Sequence, residues 1–465
     1  MDGLLILGVY FAAVMLITVF ISRKGADREE FLVGRRNMGI VSSAFSIAAT
    51  WIWAPALLVS AERAYTTGLA GFFWFLIPNV LTLIAFIPFA KRIREQMPHG
   101  VTLSGYMRNV YSTRAANVYL VQLTLIAVLS TTVQLLAGGK IMHEVVPEIP
   151  FAVFVVLLGL IALSYSWIGG IRASIVTDAV QMLFMIGAAI YFVPAILRHT
   201  GAGAVADGLG GFSGEFRSLF DSNGIRVFLE FGLATTIGLA AGPFGDQVFW
   251  QRAFAVRRDG IVKAFLLGAL SFAIVPLSMG LLGFAAAGSG FVPDDVSIVN
   301  LELILHYLPA WVIWPFTFML ISGLLSTADS NLSAISSLAE DVFGRFDLSI
   351  SRWSMVGLVV LASALAMVPE LTILKLFLVY GIVRASTLLV TILTLLRVRL
   401  DEAGVVWGVI ASLTVGLPIF AYGTLAGNNV MQIIGSILGV SLSGIVALAV
   451  TRWKAYAHRA QADFR

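Results

Sequence analysis

Thirteen long apolar runs, separated by short polar loops, divide the sequence from end to end. A helix needs about 20 mostly apolar residues to cross the hydrocarbon core of a bilayer. The runs approach or exceed that length, and no loop is long enough to hold a separate core. The pattern predicts one all-α polytopic membrane domain over 1–465. The predicted spans are 3–22, 41–61, 68–90, 115–139, 150–169, 173–196, 225–245, 260–288, 308–337, 353–369, 371–396, 403–423 and 429–451.

Composition strengthens the prediction of a membrane protein that lies in a lipid bilayer. Apolar residues make up 59% of the chain and charged residues 12%, whereas soluble globular proteins carry about 25% charged residues. Cysteine is absent, which excludes disulfides, thiolate metal sites and cysteine catalysis. The five histidines are scattered, without the spacing of a metal site. An enzyme is therefore not expected, and neither an organic cofactor nor a nucleic-acid partner is predicted.

The distribution of positive charge predicts the orientation of the chain. Cytoplasmic loops of membrane proteins are enriched in Lys and Arg. With the N-terminus placed outside, most of the 30 Lys and Arg residues fall in loops assigned to the inside, among them Arg23, Lys24 and Arg252. Arg23 and Lys24 follow the first apolar run, whereas a signal peptide carries its charges in front. We expect a cell inner (cytoplasmic) membrane protein with its N-terminus outside and its C-terminus in the cytoplasm.

Two of the predicted spans contain residues that interrupt a helix. The stretch Ser46–Pro55 of the second span contains small residues, a Thr and a Pro, and the stretch from Gly232 to Asp246 at the end of the seventh contains several Gly and Pro243. Proline removes a backbone donor and frees a carbonyl one turn back, and a bound cation can satisfy that carbonyl inside lipid. A pair of such breaks indicates a transporter with inverted repeats and a midplane site. Two kinked packing helices, or the broken helices of a channel, are the alternatives.

The ninth span carries a polar stripe. Ser326, Asp329, Ser330 and Ser333 recur at helical spacing and therefore share one face. Serine alone commonly serves helix packing in membranes. An intramembrane carboxylate is costly and is usually functional. Hydroxyl, carbonyl and carboxylate oxygens are the ligands of hard cations, so the stripe predicts a cation site.

Four segments of the chain match one family of transporters in order. They are Ala49 and Ile52 in the second span, Gly-Gly…Thr-Asp…Gln over 169–181, Asp-Gln…Gln-Arg-Ala over 246–253, and Ser-Thr…Ser-Ser-Leu-Ala-Glu-Asp over 326–341. On these residues the chain resembles the sodium:solute symporter family, which includes proline, pantothenate, sugar, sialic-acid and urea symporters. The likeness covers almost the whole chain in motif order, number of spans and orientation.

The resemblance implies a leucine-transporter-like fold with a 5+5 inverted repeat and extra helices. The leading helix would be 3–22, the two repeats 41–196 and 225–396, and the extra helices 403–451. It also implies a secondary active transporter. Such a protein couples the inward flow of Na⁺ to uptake of a small polar organic solute by alternating access.

A sodium site between the second and ninth spans follows from the same resemblance, with Na⁺ as the co-transported ion. Its implied ligands are the carbonyls of Ala49, Ile52 and Gly323 and the hydroxyls of Ser326 and Thr327. Gly323 stands where relatives often have Ala, which matters little because only the carbonyl is used.

Some relatives add a second cation site, and the matching residues here are Asp178, Ser326 and Ser330. Asp329 replaces the small or hydroxyl residue expected beside them. The extra carboxylate either strengthens binding of a second ion or carries a proton. A proton-coupled symporter that uses Asp329 or Asp178 is therefore an alternative.

The substrate is less well defined by the sequence. The Trp-rich stretch from Trp51 to Ser60 resembles the urea and polyamine branch of the family. Arg384 interrupts the eleventh span, where a guanidinium must be paired. It either grips a substrate carboxylate or is neutralised by Asp329 or Asp246. The other candidates for substrate contact or gating are Trp53, Asp246, Gln247, Trp250 and Tyr380.

The solute stays open between a urea-like or amide-like molecule, an amino acid such as proline, and a carboxylate. A membrane sensor derived from the same fold is the other alternative. A sensor would be expected to carry an output domain after the last span, where only the polar stretch 454–465 follows. The sequence predicts a small-molecule solute and the lipid bilayer as partners, and it leaves the oligomeric state open.

Overall fold

The computed structural model describes residues 2–21 and 27–463, and helices dominate this part of the chain. The one extended contact among them is an isolated bridge between Met38 and Val256. The α-helices are α1 Asp2–Ile21, α2 Arg28–Val33, α3 Ile40–Trp51, α4 Ala54–Leu57, α5 Val59–Gln96, α6 Leu103–Val110, α7 Thr113–Val145, α8 Phe151–Thr200, α9 Gly203–Asp207, α10 Ser222–Val227, α11 Leu233–Ala240, α12 Gln247–Ala255, α13 Ile261–Gly288, α14 Val299–Tyr307, α15 Ala310–Phe343, α16 Leu348–Ala366, α17 Ile373–Ala385, α18 Leu388–Leu395, α19 Glu402–Ala411, α20 Leu417–Leu425 and α21 Asn429–Asp463.

The predicted all-α membrane architecture is confirmed. Within the described ranges, nine helices are long and apolar enough to cross a bilayer, and three shorter apolar helices accompany them. Each of the thirteen predicted runs consists largely of helix within the described residues, but the count of thirteen crossings stays a prediction. Arg23 and Lys24 lie outside the described residues, and the orientation likewise stays a prediction.

Glycine and proline break several long helices where the sequence places them. The predicted fifth and sixth spans form one helix, α8, which is broken at Gly170 with a φ of 54°. A Cβ at Gly170 would lie 2.5 Å from the Phe31 carbonyl oxygen, so a side chain there is excluded by sterics as well as by the backbone. The predicted seventh span is divided into α10, a π-helical turn over Phe228–Gly232 and α11. Irregular backbone of this kind is often found at functional sites.

Small residues allow the broken helices to approach their neighbours. α11 crosses α17 at Gly238 and Gly381, where a Cβ at Gly238 would lie 2.8 Å from the Gly381 Cα. Such close backbone contact is typical of helix packing in membranes. α3 packs against α8, α13 and α15. The breaks after α3 and α11 are therefore held against α15 and α17, which carry the polar residues of the candidate sites.

Candidate functional site

The break between α3 and α4 releases carbonyl oxygens from the helical hydrogen-bond pattern. α3 ends at Trp51, and Ile52 leaves the helix with φ −84° and ψ 76°. Pro55 has no N–H to donate to Trp51. The Ala56 N–H, which would continue the helix by bonding to Ile52, donates instead to the Trp53 carbonyl at 2.8 Å. The Ile52 carbonyl is consequently available to a ligand.

Three of the five predicted sodium ligands lie together at this break. A Cβ at Gly323 would lie 3.1 Å from the Ile52 carbonyl oxygen, so the backbones of α15 and the α3 break are nearly in contact. The Thr327 hydroxyl lies 3.1 Å from the Thr50 carbonyl oxygen and 3.2 Å from that of Gly323. The structure thus brings the Thr327 hydroxyl and the backbone at Gly323, both on α15, next to the carbonyls at the α3 break.

The two remaining predicted ligands, Ala49 and Ser326, are engaged with the protein. The Ala49 carbonyl accepts a hydrogen bond from the Ile52 N–H at 3.1 Å, which leaves its second lone pair open. The Ser326 hydroxyl donates to Asp178 Oδ1 at 2.5 Å. Ser326 therefore connects the predicted sodium site with the second predicted cation site.

The residues of the second predicted cation site surround a buried arginine. Asp178, from α8, and Ser330, from α15, both bind the Arg252 guanidinium, with Nη2 2.8 Å from Asp178 Oδ2 and 2.6 Å from the Ser330 hydroxyl. Arg252 Nε donates to the Ser46 hydroxyl of α3 at 3.0 Å. The side chains of Arg252 and Asp178 are both 0% exposed. A guanidinium from α12 thus supplies the positive charge in this cluster.

Asp329 lies beside that cluster and is only partly satisfied. Its Oδ1 accepts hydrogen bonds from the Ser174 hydroxyl at 2.9 Å and the Ser330 hydroxyl at 3.2 Å. Its Oδ2 is buried and receives no hydrogen bond from the described part of the chain. Asp329 is therefore a second carboxylate within a cluster that holds one guanidinium.

Arg384 pairs with Asp246 rather than Asp329. Arg384 Nη2 lies 2.6 Å from Asp246 Oδ2, and both side chains are buried. The same carboxylate accepts from the Tyr380 hydroxyl at 3.2 Å, and its Oδ1 caps α12 by accepting the Val248 N–H at 3.1 Å. A Cβ at Gly245 would lie 2.7 Å from the Arg384 Cα. Glycine before Asp246 is what allows α17 to bring the arginine to the carboxylate.

Aromatic rings enclose the Arg384 guanidinium. Its Cζ lies 3.8 Å from the ring centroid of Tyr380, 5.1 Å from that of Trp51 and 5.4 Å from that of Trp53. These distances are within the range of cation–π attraction. We call Trp51, Trp53, Tyr380, Arg384 and Asp246 the aromatic cage. Its residues come from the end of α3 and the break after it, from the break after α11, and from α17.

Three buried polar atoms at the aromatic cage lack a hydrogen-bond partner in the described residues. They are Trp53 Nε1, Arg384 Nε and the side-chain oxygen of Gln122. The Gln122 amide donates to the Gly245 carbonyl at 2.9 Å and the Val383 carbonyl at 3.4 Å, which fixes it against the backbone beside Asp246 and Arg384. Buried polar atoms are rarely left unpaired, which makes these three atoms candidates for contact with a polar ligand.

Two of the predicted gating residues lie away from the aromatic cage. Gln247 accepts from the Leu103 N–H and donates to the Val101 carbonyl, which ties α12 to the start of α6. Trp250 donates to the Phe244 carbonyl at 2.8 Å and packs on Phe86. The contacts of both residues are therefore with residues outside the cage.

Sequence reasoning did not assign Trp51, Gln122, Ser46 or Arg252 to any site. Gln122 is a polar residue within an apolar span, which is a usable signal. Arg252 was expected in an inner loop, yet it is fully buried. It lies between two spans in the short helix α12, and its side of the membrane stays a prediction. Charge counting could not reveal its burial, because it does not register a carboxylate 74 positions away.

Two cavities lie between the C-terminal part of α7, the segment before α14 and the start of α17, and the smaller one also borders the start of α5. Their volumes are 510 and 240 Å³, and Lys140 and Asp295 line both. Lys140 Nζ lies 2.6 Å from Asp295 Oδ2. Burial opposes ionisation, but hydrogen bonds from Lys140 and Ser297 hold the pKa of Asp295 below its usual range. This ion pair connects α7 with the segment before α14 at one mouth of the bundle.

Comparison with known proteins gives a consistent result. The profile of the Sodium:solute symporter family matches residues 31–412. The urea-proton symporter DUR3 of Oryza sativa subsp. japonica is 23% identical over 513 residues, covering 95% of this chain and 69% of that protein. The sodium/pantothenate symporter of Haemophilus influenzae is 25% identical over 458 residues, covering 92% and 90% of the two chains.

The fold also matches a solved transporter. A Na⁺-coupled sialic acid symporter, in a substrate-bound outward-open state, superposes with a TM-score of 0.77 at 18% identity, covering 97% of this chain and 98% of that one. At that identity the superposition establishes the fold, and it confirms the predicted leucine-transporter-like class. The matched family and these relatives consist of transporters rather than enzymes.

Proposed function

This chain belongs to the sodium:solute symporter family, and we propose that it couples the inward flow of Na⁺ to uptake of a small polar organic solute by alternating access. In this proposal it is a multi-pass protein of the cell inner membrane, with its N-terminus outside and its C-terminus in the cytoplasm. Na⁺ binds at the break after α3, and the solute binds at the aromatic cage.

One observation carries the proposal for Na⁺. The Ile52 carbonyl is freed by the break after α3 and lies against Gly323 of α15, with the Thr327 hydroxyl beside the Gly323 carbonyl. Freed carbonyls and hydroxyls on a discontinuous helix are the oxygen ligands that transporters offer to Na⁺. We assign Ala49 and Ser326 to the same site, since each lies within one turn of these residues on its own helix.

The location of this site explains how an ion can drive movement. Its ligands come from α3 and α15, so a bound cation holds these two helices together. A ligand shifts a conformational equilibrium only by its difference in affinity for the two states. Na⁺ at this site favours the state in which the two helices are in contact, and that state also holds Trp51 and Trp53 in the aromatic cage.

The solute is assigned to the aromatic cage because that cluster joins the two broken helices. The breaks after α3 and α11 contribute Trp53 and Asp246, and α17 contributes Tyr380 and Arg384. Relatives named for urea and pantothenate share this family. The class of solute therefore includes urea-like and amide-like molecules, amino acids such as proline, and carboxylates.

A proton is the second candidate for the coupling ion, and Asp329 is the observation that favours it. Its buried Oδ2, to which neither Ser174 nor Ser330 donates, is a place for a proton. The charged groups that face it are Asp178 of α8 and Arg252 of α12, and Tyr165 is the phenol nearby. Asp178 with Arg252 forms a neutral pair, so a proton on Asp329 would make the whole cluster neutral. An Asp329→Asn variant whose solute uptake loses its dependence on pH would support this candidate.

Sodium binding is tested by thermal unfolding of the purified protein in equal concentrations of NaCl and KCl. A ligand that binds only the folded state raises its stability by mass action. We expect a higher melting temperature in NaCl, and we expect Thr327→Ala to reduce that difference. Thr317→Ala removes a buried hydroxyl about three turns away on α15 and serves as the matched control. Equal melting temperatures in the two salts would contradict the proposal.

A further inference from the structure

A groove between α1 and the first half of α8 lies apart from both candidate sites. Its volume is 810 Å³, and the side chains that line it include Phe11, Met15, Leu160, Leu163 and Trp167. Its one hydroxyl, that of Ser164, already donates to the Ile161 carbonyl at 2.7 Å, so the walls suit hydrocarbon rather than a polar solute. We propose that this groove binds an acyl chain of an anionic phospholipid, and that Arg352 binds the phosphate of the same lipid.

The length of the groove matches one leaflet of a bilayer. On α8 the lining residues run from Leu157 to Ile168, a distance of about 16 Å at the helical rise of 1.5 Å per residue. The hydrocarbon core of a bilayer is about 30 Å thick, so the groove covers roughly half of it. In the predicted orientation Ile168 lies at the cytoplasmic end. An acyl chain of the cytoplasmic leaflet therefore fits the groove, with its headgroup near Ile168.

Tryptophan side chains mark that end of the groove. Trp167, which lines the groove, also contacts Arg352: the Arg352 Nε donates to the Trp167 carbonyl at 3.0 Å, and its Cζ lies 5.3 Å from the Trp167 ring centroid. Trp353 meets the Trp167 ring edge to face at 6.2 Å and is 64% exposed. Tryptophan is enriched where the hydrocarbon core meets the headgroups. These contacts place Arg352 at headgroup level.

Arg352 carries a positive charge that no carboxylate neutralises. Arg172, four residues after Ile168, pairs with Glu30 at 2.7 Å. Among the described residues, by contrast, no carboxylate lies within ion-pair distance of Arg352, whose contacts are with Trp167. Its Nη1 and Nη2 atoms are left to bind an anion. Arginine binds phosphate through two parallel N–H bonds, and basic sites between membrane helices on the cytoplasmic side bind anionic headgroups.

Thermal unfolding in mixed micelles tests the headgroup. Phosphatidylglycerol and phosphatidylcholine with identical acyl chains are added to the purified protein at equal mole fraction. We expect phosphatidylglycerol to raise the melting temperature more than phosphatidylcholine does. Arg352→Gln should lose this difference between the lipids, even if it lowers stability in both. Arg345→Gln, which removes an exposed arginine just before α16, is the control and should keep it. No difference in the unmodified protein, an undiminished difference in Arg352→Gln, or equal stabilisation by inorganic phosphate would overturn the inference.

A substitution at Gly8 tests the groove itself. Gly8 lines the groove, and a Cβ there would meet no atom within 4 Å, so Gly8→Phe should fill the groove without disturbing the packing of α1 on α8. Gly187→Phe, at an equally open and exposed position in the second half of α8, is the matched control. We expect native mass spectrometry to show less bound phosphatidylglycerol on Gly8→Phe than on the control. Equal amounts on both would overturn the inference. A change from dimer to monomer in Gly8→Phe, with lipid binding unchanged, would also overturn it and would assign the groove to a second copy of this chain.

Discussion

Replacement of Arg252 by glutamine tests whether its guanidinium takes the place of a bound cation at the second predicted cation site. In the structure Arg252 is the cation closest to Asp178, with Nη2 2.8 Å from Oδ2, and both side chains are 0% exposed. Breaking a buried ion pair by removing one partner costs about 3–5 kcal/mol. The hydrogen bonds from Arg252 to Ser46 and Ser330 are lost in the same change and are part of that cost. We therefore expect Arg252→Gln to be destabilised by roughly that amount in K⁺.

The same substitution should create a sodium site. Without the guanidinium, the Asp178 carboxylate and the hydroxyls of Ser46, Ser326 and Ser330 form an anionic cluster of hard oxygen atoms. Above saturation, each site-bound ion adds about 1.4 kcal/mol of stability per tenfold rise in its concentration. One ion in the unmodified protein predicts a slope of about 1.4, and two ions in Arg252→Gln predict about 2.7 kcal/mol per tenfold rise in Na⁺.

The assay is unfolding of the purified variants in detergent across a Na⁺ series, with choline chloride holding ionic strength constant. Arg252→Gln/Asp178→Asn removes both charges and should recover much of the stability in K⁺ without gaining the steeper slope. Arg257→Gln is the control, because Arg257 pairs with Asp259 at the surface. A single variant that is as stable as the unmodified protein and shows an unchanged Na⁺ slope would refute the assignment of Arg252 to this site.

Three further predictions concern the aromatic cage and the mouth of the bundle. Arg384→Ala should lower the melting temperature by leaving Asp246 buried without a cation, and adding Asp246→Asn should restore it; a stable single variant with normal transport would contradict the pairing. Gly245→Ala should cost about 1–3 kcal/mol in unfolding experiments, since its Cβ would lie 2.7 Å from the Arg384 Cα; unchanged stability and uptake would show that the backbones separate easily. The pKa of Asp295 is lowered in the folded protein by Lys140, so its contribution is present above the unfolded pKa and disappears as pH falls through the folded one. Asp295→Asn should then flatten the loss of stability on acidification, and an unaltered acid profile would count against that role.

The helices were predictable from the sequence because each depends on a continuous apolar run. The breaks at Pro55 and in the seventh span were predictable for a related reason, since proline and glycine act locally on the backbone. The division of the seventh span into a helix, a π-helical turn and a second helix was not predicted. The π-helical turn packs against α5, where a Cβ at Gly232 would lie 2.8 Å from the Trp74 side chain, and this contact is distant in sequence.

The partners of charged residues were only partly predictable. The sequence left Arg384 with two possible carboxylates, and the structure selects Asp246 because Gly245 and the crossing at Gly238 bring α17 close to the break after α11. Arg252 was placed in a loop by its polar neighbours, although its partner is on α8. Such pairings depend on helix rotation and on contacts distant in sequence, which periodicity does not encode. By contrast, the resemblance predicted that Ile52, Gly323 and Thr327 lie close together. That these residues bind Na⁺ remains a proposal.

The most direct test of Na⁺ symport is solute accumulation in proteoliposomes under an imposed ion gradient. Vesicles holding the purified protein are diluted into buffer that creates an inward gradient of Na⁺ or of K⁺, at equal pH on both sides, and labelled acetamide uptake is followed. We predict transient accumulation above the external concentration with Na⁺ alone, and its loss in Thr327→Ala but not in Thr317→Ala. Accumulation of equal size with K⁺, or accumulation that follows a pH gradient and ignores Na⁺, would contradict the account.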